Sequence, residues 1–140
     1  MKLKAESNLL PLRNQMAKLI EPNSSVIEFG CGNGDLLFEL SSKIKYGLGI
    51  DKSKKMIDYA IQKQSVMNLS NINYKCEELS IDYQTTESYD YSIASLFFHV
   101  IPWSDSVYLI KKMKEISDKI VLCGFSQPST LQQEALLWLD

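Results

Sequence analysis

Three glycines at every second position, Gly30, Gly32 and Gly34, separate one apolar run, Val26, Ile27 and Phe29, from another, Leu36, Leu37 and Leu40. No other stretch of the chain constrains its fold as tightly. The first run reads as a buried strand and the second as the opening of a helix. Glycine reaches φ > 0 without penalty and lets backbone N–H groups approach a ligand with no Cβ between. Strand, glycine turn and helix together predict a pocket at the carboxyl edge of a parallel sheet, of the kind that receives nucleotides.

The rest of the chain alternates to match. Leu9, Leu12, Met16 and Leu19-Ile20 fall close to one helical face, with Ser7 or Asn8 as cap, Pro11 in the first turn and Glu21-Pro22 as the stop. Tyr46 to Asp51 gives a second strand that ends on an acid. A helix capped by Ser53 runs to about Met67, with Met56, Ala60 and Met67 on one face beside Ile57 and Ile61. Ile72 to Cys76 alternates as a third strand, and Tyr89 to Phe98 is the fourth. A helix from about Asp105 to Ile116 turns Val107, Ile110 and Met113 inward, and Lys119 to Phe125 forms a fifth strand. Strands alternating with helices of this length predict crossover units and an α/β fold, a parallel sheet with helices on both faces.

Length and charge narrow the function. The 140 residues, 45% apolar, suit one domain spanning 1–140 with one core. A net charge of −2 and the lack of a basic stripe argue against a nucleic-acid partner. Cys31, Cys76 and Cys123 form neither a disulfide framework nor a metal-ligand spacing, so no metal is expected and a reducing, cytoplasmic setting is. No stretch approaches the roughly 20 apolar residues of a membrane span.

The glycine spacing then selects among ligands. A dinucleotide fingerprint needs a third small residue where Asp35 stands, and a carboxylate is a poor neighbour for a pyrophosphate. No Gly-Lys-Ser/Thr follows, which excludes a Walker-type phosphate loop. The pattern present is Glu28-x-Gly30-x-Gly32-x-Gly34, with a second acid, Asp51, at the end of the next strand.

That pattern resembles the motif of class I S-adenosylmethionine-dependent methyltransferases. The stretch from Asp51 through Lys52 and Ser53 to Met56 is similar to the family's second motif, Cys76-Glu77 lies where its third strand ends, and YDYSIASLFFHVI is similar to its fourth-strand segment. The resemblance implies a Rossmann-like, doubly wound parallel sheet in the order 3-2-1-4-5, S-adenosylmethionine as cofactor, S-adenosylhomocysteine as product, and cofactor contacts at Glu28, Gly30, Cys31, Gly32, Gly34, Asp51, Lys52, Met56, Glu77 and Ser95. Glu28 would face the methionine amino group, Asp51 the ribose hydroxyls and Glu77 the adenine. A phosphate-free, positively charged cofactor accounts for the acids, since carboxylates attract a sulfonium and an ammonium. For Glu77 a solvated carboxylate is an equal reading, and Met56 and Leu36 also suit the core.

His99 follows the fourth strand where an acceptor would sit and could serve as a general base. Its neighbours Phe98 and Val100 favour instead a structural histidine bonded to backbone. Ser95-Leu96-Phe97-Phe98 stands where base-amino methyltransferases carry Asn/Asp-Pro-Pro-Tyr/Phe, so a small-molecule acceptor is expected. A non-catalytic binding or scaffold module and a nicotinamide-dependent oxidoreductase are the alternatives. The family sheet ends in an antiparallel hairpin, and the chain is expected to lack it, stopping after strand five and one amphipathic segment, 131–140. Truncation at the C-terminus is one explanation; a homodimer through the C-terminal helix or strand five is another.

Overall fold

The computed structural model describes residues 2–98, 100–125 and 134–139. Helix α1 (Lys2–Leu19) leads into strand β1 (Ser25–Phe29), and the glycine turn connects β1 to the short helix α2 (Asp35–Leu40). Then follow β2 (Tyr46–Asp51), α3 (Lys54–Val66), β3 (Ile72–Cys76), β4 (Tyr89–Ser95), α4 (Trp103–Ile116), β5 (Ser117–Phe125) and β6 (Glu134–Leu139). The strands lie in the order β3-β2-β1-β4-β5-β6, parallel except for β6, which pairs antiparallel with β5.

The expected order of the five parallel strands is borne out. The expectation that the sheet stops at β5 is corrected. The final segment is a strand rather than a helix, in register from Ile120 opposite Leu139 to Phe125 opposite Glu134. Six residues are too few to nucleate a helix on their own, while the open edge of β5 offers a ready ladder. This pairing takes the strand-five edge, and no C-terminal helix stands among the described residues. Helix α1 also starts earlier than expected. Ser7 and Asn8 lie inside it instead of capping it, and Pro11 is interior; the preceding Lys, Leu, Ala and Glu residues are good helix formers.

Period-two alternation along β1 decides which side chains reach which layer. Val26 joins the layer covered by Leu12 and Met16 of α1, by Ile20 just after it, and by Leu36, Leu37 and Leu40 of α2. Ile27 and Phe29 join the opposite layer, with Leu109, Met113 and Ile116 of α4. Inward residues of α4 are thus Ser106, Leu109, Met113 and Ile116, while Val107 and Ile110 are only partly covered. By the same alternation Glu28 shares the face of Val26, an acid beside a layer of apolar side chains.

The turn is stitched to the neighbouring strand. Gly30 and Cys31 both donate their N–H groups to the Ile50 carbonyl, at 2.8 and 3.0 Å. Gly34, at φ +84°, opens α2, and a Cβ there would run into the Tyr74 hydroxyl, which donates to the Gly34 carbonyl at 3.3 Å. Both the left-handed backbone and the close approach require glycine. Gly34→Ala should therefore cost about 1–3 kcal/mol in chemical denaturation. Adding Tyr74→Ala should recover the steric share of that loss but not the backbone share, which a double-mutant cycle separates.

Candidate cofactor site

Two cavities open at the carboxyl end of β1, and Gly30 lines both. The first, about 210 Å³, is lined by Arg13, Glu28, Gly30, Cys31, Gly32, Asn33, Asp35, Leu36, Met56 and Ser95. The second, about 280 Å³, is lined by Gly30, Asp51, Lys52, Glu78, Leu79, Phe97, Val100, Ile101, Pro102 and Asp105.

Asp51 joins the turn to the second strand. Its Oδ2 accepts from the Gly32 N–H at 2.9 Å and its Oδ1 from the Ser53 N–H at 2.8 Å. Ser53 in turn caps α3, its Oγ accepting from the Met56 N–H at 3.3 Å. A Cβ on Gly32 would meet nothing within 4 Å, so the backbone there faces open space.

Glu28 is only 3% exposed, and its Oε1 is buried with no hydrogen-bond partner among the described residues. Burial pushes its carboxyl well above the ordinary value near 4.5; Asp51 and Asp35 push the same way, and Arg13 pulls it back. Burial, reinforced by Glu28 and Asp51, likewise pushes the Cys31 thiol up, so it is no thiolate nucleophile.

Of the residues expected to touch the cofactor, Glu28, Gly30, Cys31, Gly32, Met56 and Ser95 line the first cavity, and Asp51 and Lys52 the second. Gly34 shapes the turn from beneath Tyr74 and does not line either cavity. Met56 is 43% exposed and belongs to the cavity wall, which corrects its reading as core, whereas Leu36 is buried as expected. Met67 and Ile61 are exposed too, leaving Ile57 and Ala60 as the buried face of α3. Glu77 is not among the lining residues. Its carboxylate lies 3.0 Å from Lys75 Nζ, an ion pair not aligned as a hydrogen bond, and its N–H donates to the Asp51 carbonyl at 3.0 Å. The next residue, Glu78, takes the cavity position instead, because the backbone pairing of Glu77 continues the strand alternation by one step. His99 lies outside the described residues.

The sequence reading missed Arg13, one of several cations on the leading helix with no motif around it, and treated Asp35 only as an obstacle to pyrophosphate. It also passed over Leu96, whose φ of +58° is unusual for a branched side chain. The Leu96 N–H donates to the Cys123 carbonyl at 2.9 Å. This kink starts the turn that carries Phe97, whose ring packs over Gly30 and makes an edge contact with Phe98, centroids 5.2 Å apart.

The raised carboxyl sets a pH dependence. The folded state holds the Glu28 proton more tightly than the unfolded state, so its stability relative to a neutral variant falls as pH rises from about 4.5 through the raised folded value. Melting curves of wild type and Glu28→Gln between about pH 5 and about pH 8 should diverge, wild type losing more stability towards the alkaline end.

A family model described as a methyltransferase domain matches residues 20–136. The 235L protein of Invertebrate iridescent virus 6, which bears a methyltransferase name, is 33% identical over 86 residues, covering 60% of this chain and 29% of that protein. The chain thus spans less than a third of that relative's length. Among solved structures, Haemonchus contortus phosphoethanolamine N-methyltransferase 1, in complex with phosphoethanolamine and S-adenosylhomocysteine, superposes with a TM-score of 0.76 at 20% identity. The match covers 90% of this chain and 28% of that one. The [4+2]-cyclase SpnF superposes with a TM-score of 0.73 at 14% identity, over 81% of this chain and 44% of that one. The glycine turn, the two strand-end acids and the order of the parallel strands all lie within the matched stretch, and the chain belongs to the methyltransferase-domain family.

Proposed function

We propose that this domain binds S-adenosylmethionine and transfers its methyl group to a small-molecule acceptor. One observation carries the reading: the buried, unpartnered Glu28 Oε1 lines a cavity that meets, at Gly30, a second cavity holding Asp51. An acceptor atom without a donor, in a low-dielectric wall, fits an ammonium group. Asp51 at the neighbouring cavity fits a vicinal diol, and both of its oxygens are already oriented by backbone N–H groups. When bound, S-adenosylmethionine supplies an electrophilic methyl group on a positively charged sulfur.

The chain's own residues then bind and orient. Glu28 takes the amino group, Asp51 the ribose, Arg13 lies at the carboxylate end, and Glu78 and Leu79 replace Glu77 on the adenine side. Holding two reactants at near-attack distance accounts for most of the rate enhancement such a site needs. Support for a small acceptor comes from the net charge of −2 and the absence of a basic stripe. Family membership disfavours the nicotinamide reading, and Asp35 engages Arg13 and Lys63 at the position where a pyrophosphate would need a small residue.

Calorimetry with S-adenosylmethionine and S-adenosylhomocysteine tests the assignment. Asp51→Ala should weaken both by about 1.5–3 kcal/mol, roughly 10- to 150-fold, the loss of hydrogen bonds to a charge. Unchanged affinity would remove the ribose role, and no binding by wild type would remove the cofactor. A second reading is a module that binds the cofactor without methyl transfer, since the cavity features above account for binding alone. Cofactor binding without turnover across a broad acceptor screen would support it.

A further inference from the structure

One carboxylate beside the 210 Å³ cavity holds two cations from different helices. Asp35, the first residue of α2, accepts from Arg13 Nη1 of α1 at 2.8 Å and from Lys63 Nζ of α3 at 2.9 Å. Arg13 and Asp35 line the cavity; Lys63 stands behind them, its ammonium 4.3 Å from the Phe38 ring centre. The side chains are 17%, 25% and 34% exposed, so the group is largely shielded from water.

Stability alone does not account for such a group. Leu12, Met16 and Ile20 already anchor α1, and Leu36, Leu37 and Leu40 anchor α2. A shielded ion cluster often gives no more stability than apolar side chains of the same volume, because desolvation offsets the attraction. What it does give is orientation, since the carboxylate holds Nη1 of the planar guanidinium in one direction. The orientation matters because of Glu28, which lines the same cavity and suits an ammonium. An amino-acid tail carries its carboxylate one carbon away from its ammonium.

We propose that Asp35, backed by Lys63, is a positioning residue that holds the Arg13 guanidinium at the cavity, so that the α-carboxylate of the cofactor's amino-acid tail is recognised beside the ammonium at Glu28. This rests on the S-adenosylmethionine reading above. Asp35 stays ionised in this position, because Lys63 and Arg13 outweigh the burial that would raise its carboxyl and hold it below its ordinary value.

The test compares S-adenosylhomocysteine with 5′-methylthioadenosine, which keeps the adenosyl thioether and lacks the amino-acid tail. Asp35→Asn should weaken S-adenosylhomocysteine about tenfold and leave 5′-methylthioadenosine within about twofold. Asp35→Glu should recover most of the loss. Lys63→Met, which leaves the cavity lining intact, should move the same ligand in the same direction by less, and it keeps the test available if Asp35→Asn does not fold. Equal losses for both ligands with a lowered melting temperature would make the cluster merely structural and overturn the proposal. So would an unchanged affinity for S-adenosylhomocysteine in both variants. Wild type that binds 5′-methylthioadenosine as tightly as S-adenosylhomocysteine overturns recognition of the tail while keeping the adenosyl site. Wild type that binds neither overturns the cofactor reading and this proposal with it.

Discussion

The carboxylate of Asp51 accepts one N–H from the glycine turn and one from the start of the next helix, and the site depends on that pair of bonds. Without it the turn after β1 and the loop after β2 would be two adjacent segments with no fixed relation. With it, the backbone of Gly32, the cap at Ser53 and the carboxylate itself become one rigid unit at the carboxyl edge of the sheet. Strand pairing supplies the other half of the restraint, since the turn's first two N–H groups share the carbonyl of Ile50, next to Asp51. The acid can therefore meet a ligand without first being ordered, which spares the entropy that orienting a free side chain would cost.

Glu28 and Asp35 are acids seven positions apart that end in opposite electrostatic states. Asp35 has two cations within hydrogen-bonding distance and is held ionised. Glu28 has an oxygen without a partner among the described residues and feels both Asp51 and Asp35, so its carboxyl holds its proton more tightly than in water. The cavity between them thus offers one compensated charge and one uncompensated acceptor. A ligand carrying an ammonium group is matched by the second, and the first leaves its cations facing an anionic group.

Much of this was legible because it is local. Apolar period and glycine spacing depend on a few adjacent residues, and they identified β1, the turn and α2, while the order of the parallel strands came with the family resemblance. Ser53 as a cap and Asp51 as a strand-ending acid followed from the same short-range chemistry. The failures are all cases where a distant partner decides. Arg13 gains its meaning only from Asp35, 22 residues on. Glu78 rather than Glu77 faces the cavity because β3 pairs with β2 in a register that runs from Gly47 opposite Ile72 to Asp51 opposite Cys76. The last segment becomes a strand because β5 has an edge to offer, which its own six residues do not reveal.

The orphaned oxygen of Glu28 has a consequence for how such a sequence drifts. A domain retained only for its shape gains by losing a desolvated acid from the middle of its first strand, since many neutral replacements relieve the burden at once. Neutral wandering would erase Glu28 early, well before it reached the aliphatic residues on either side. Under the proposed function, the burden of that acid is lifted only when a cation sits against it.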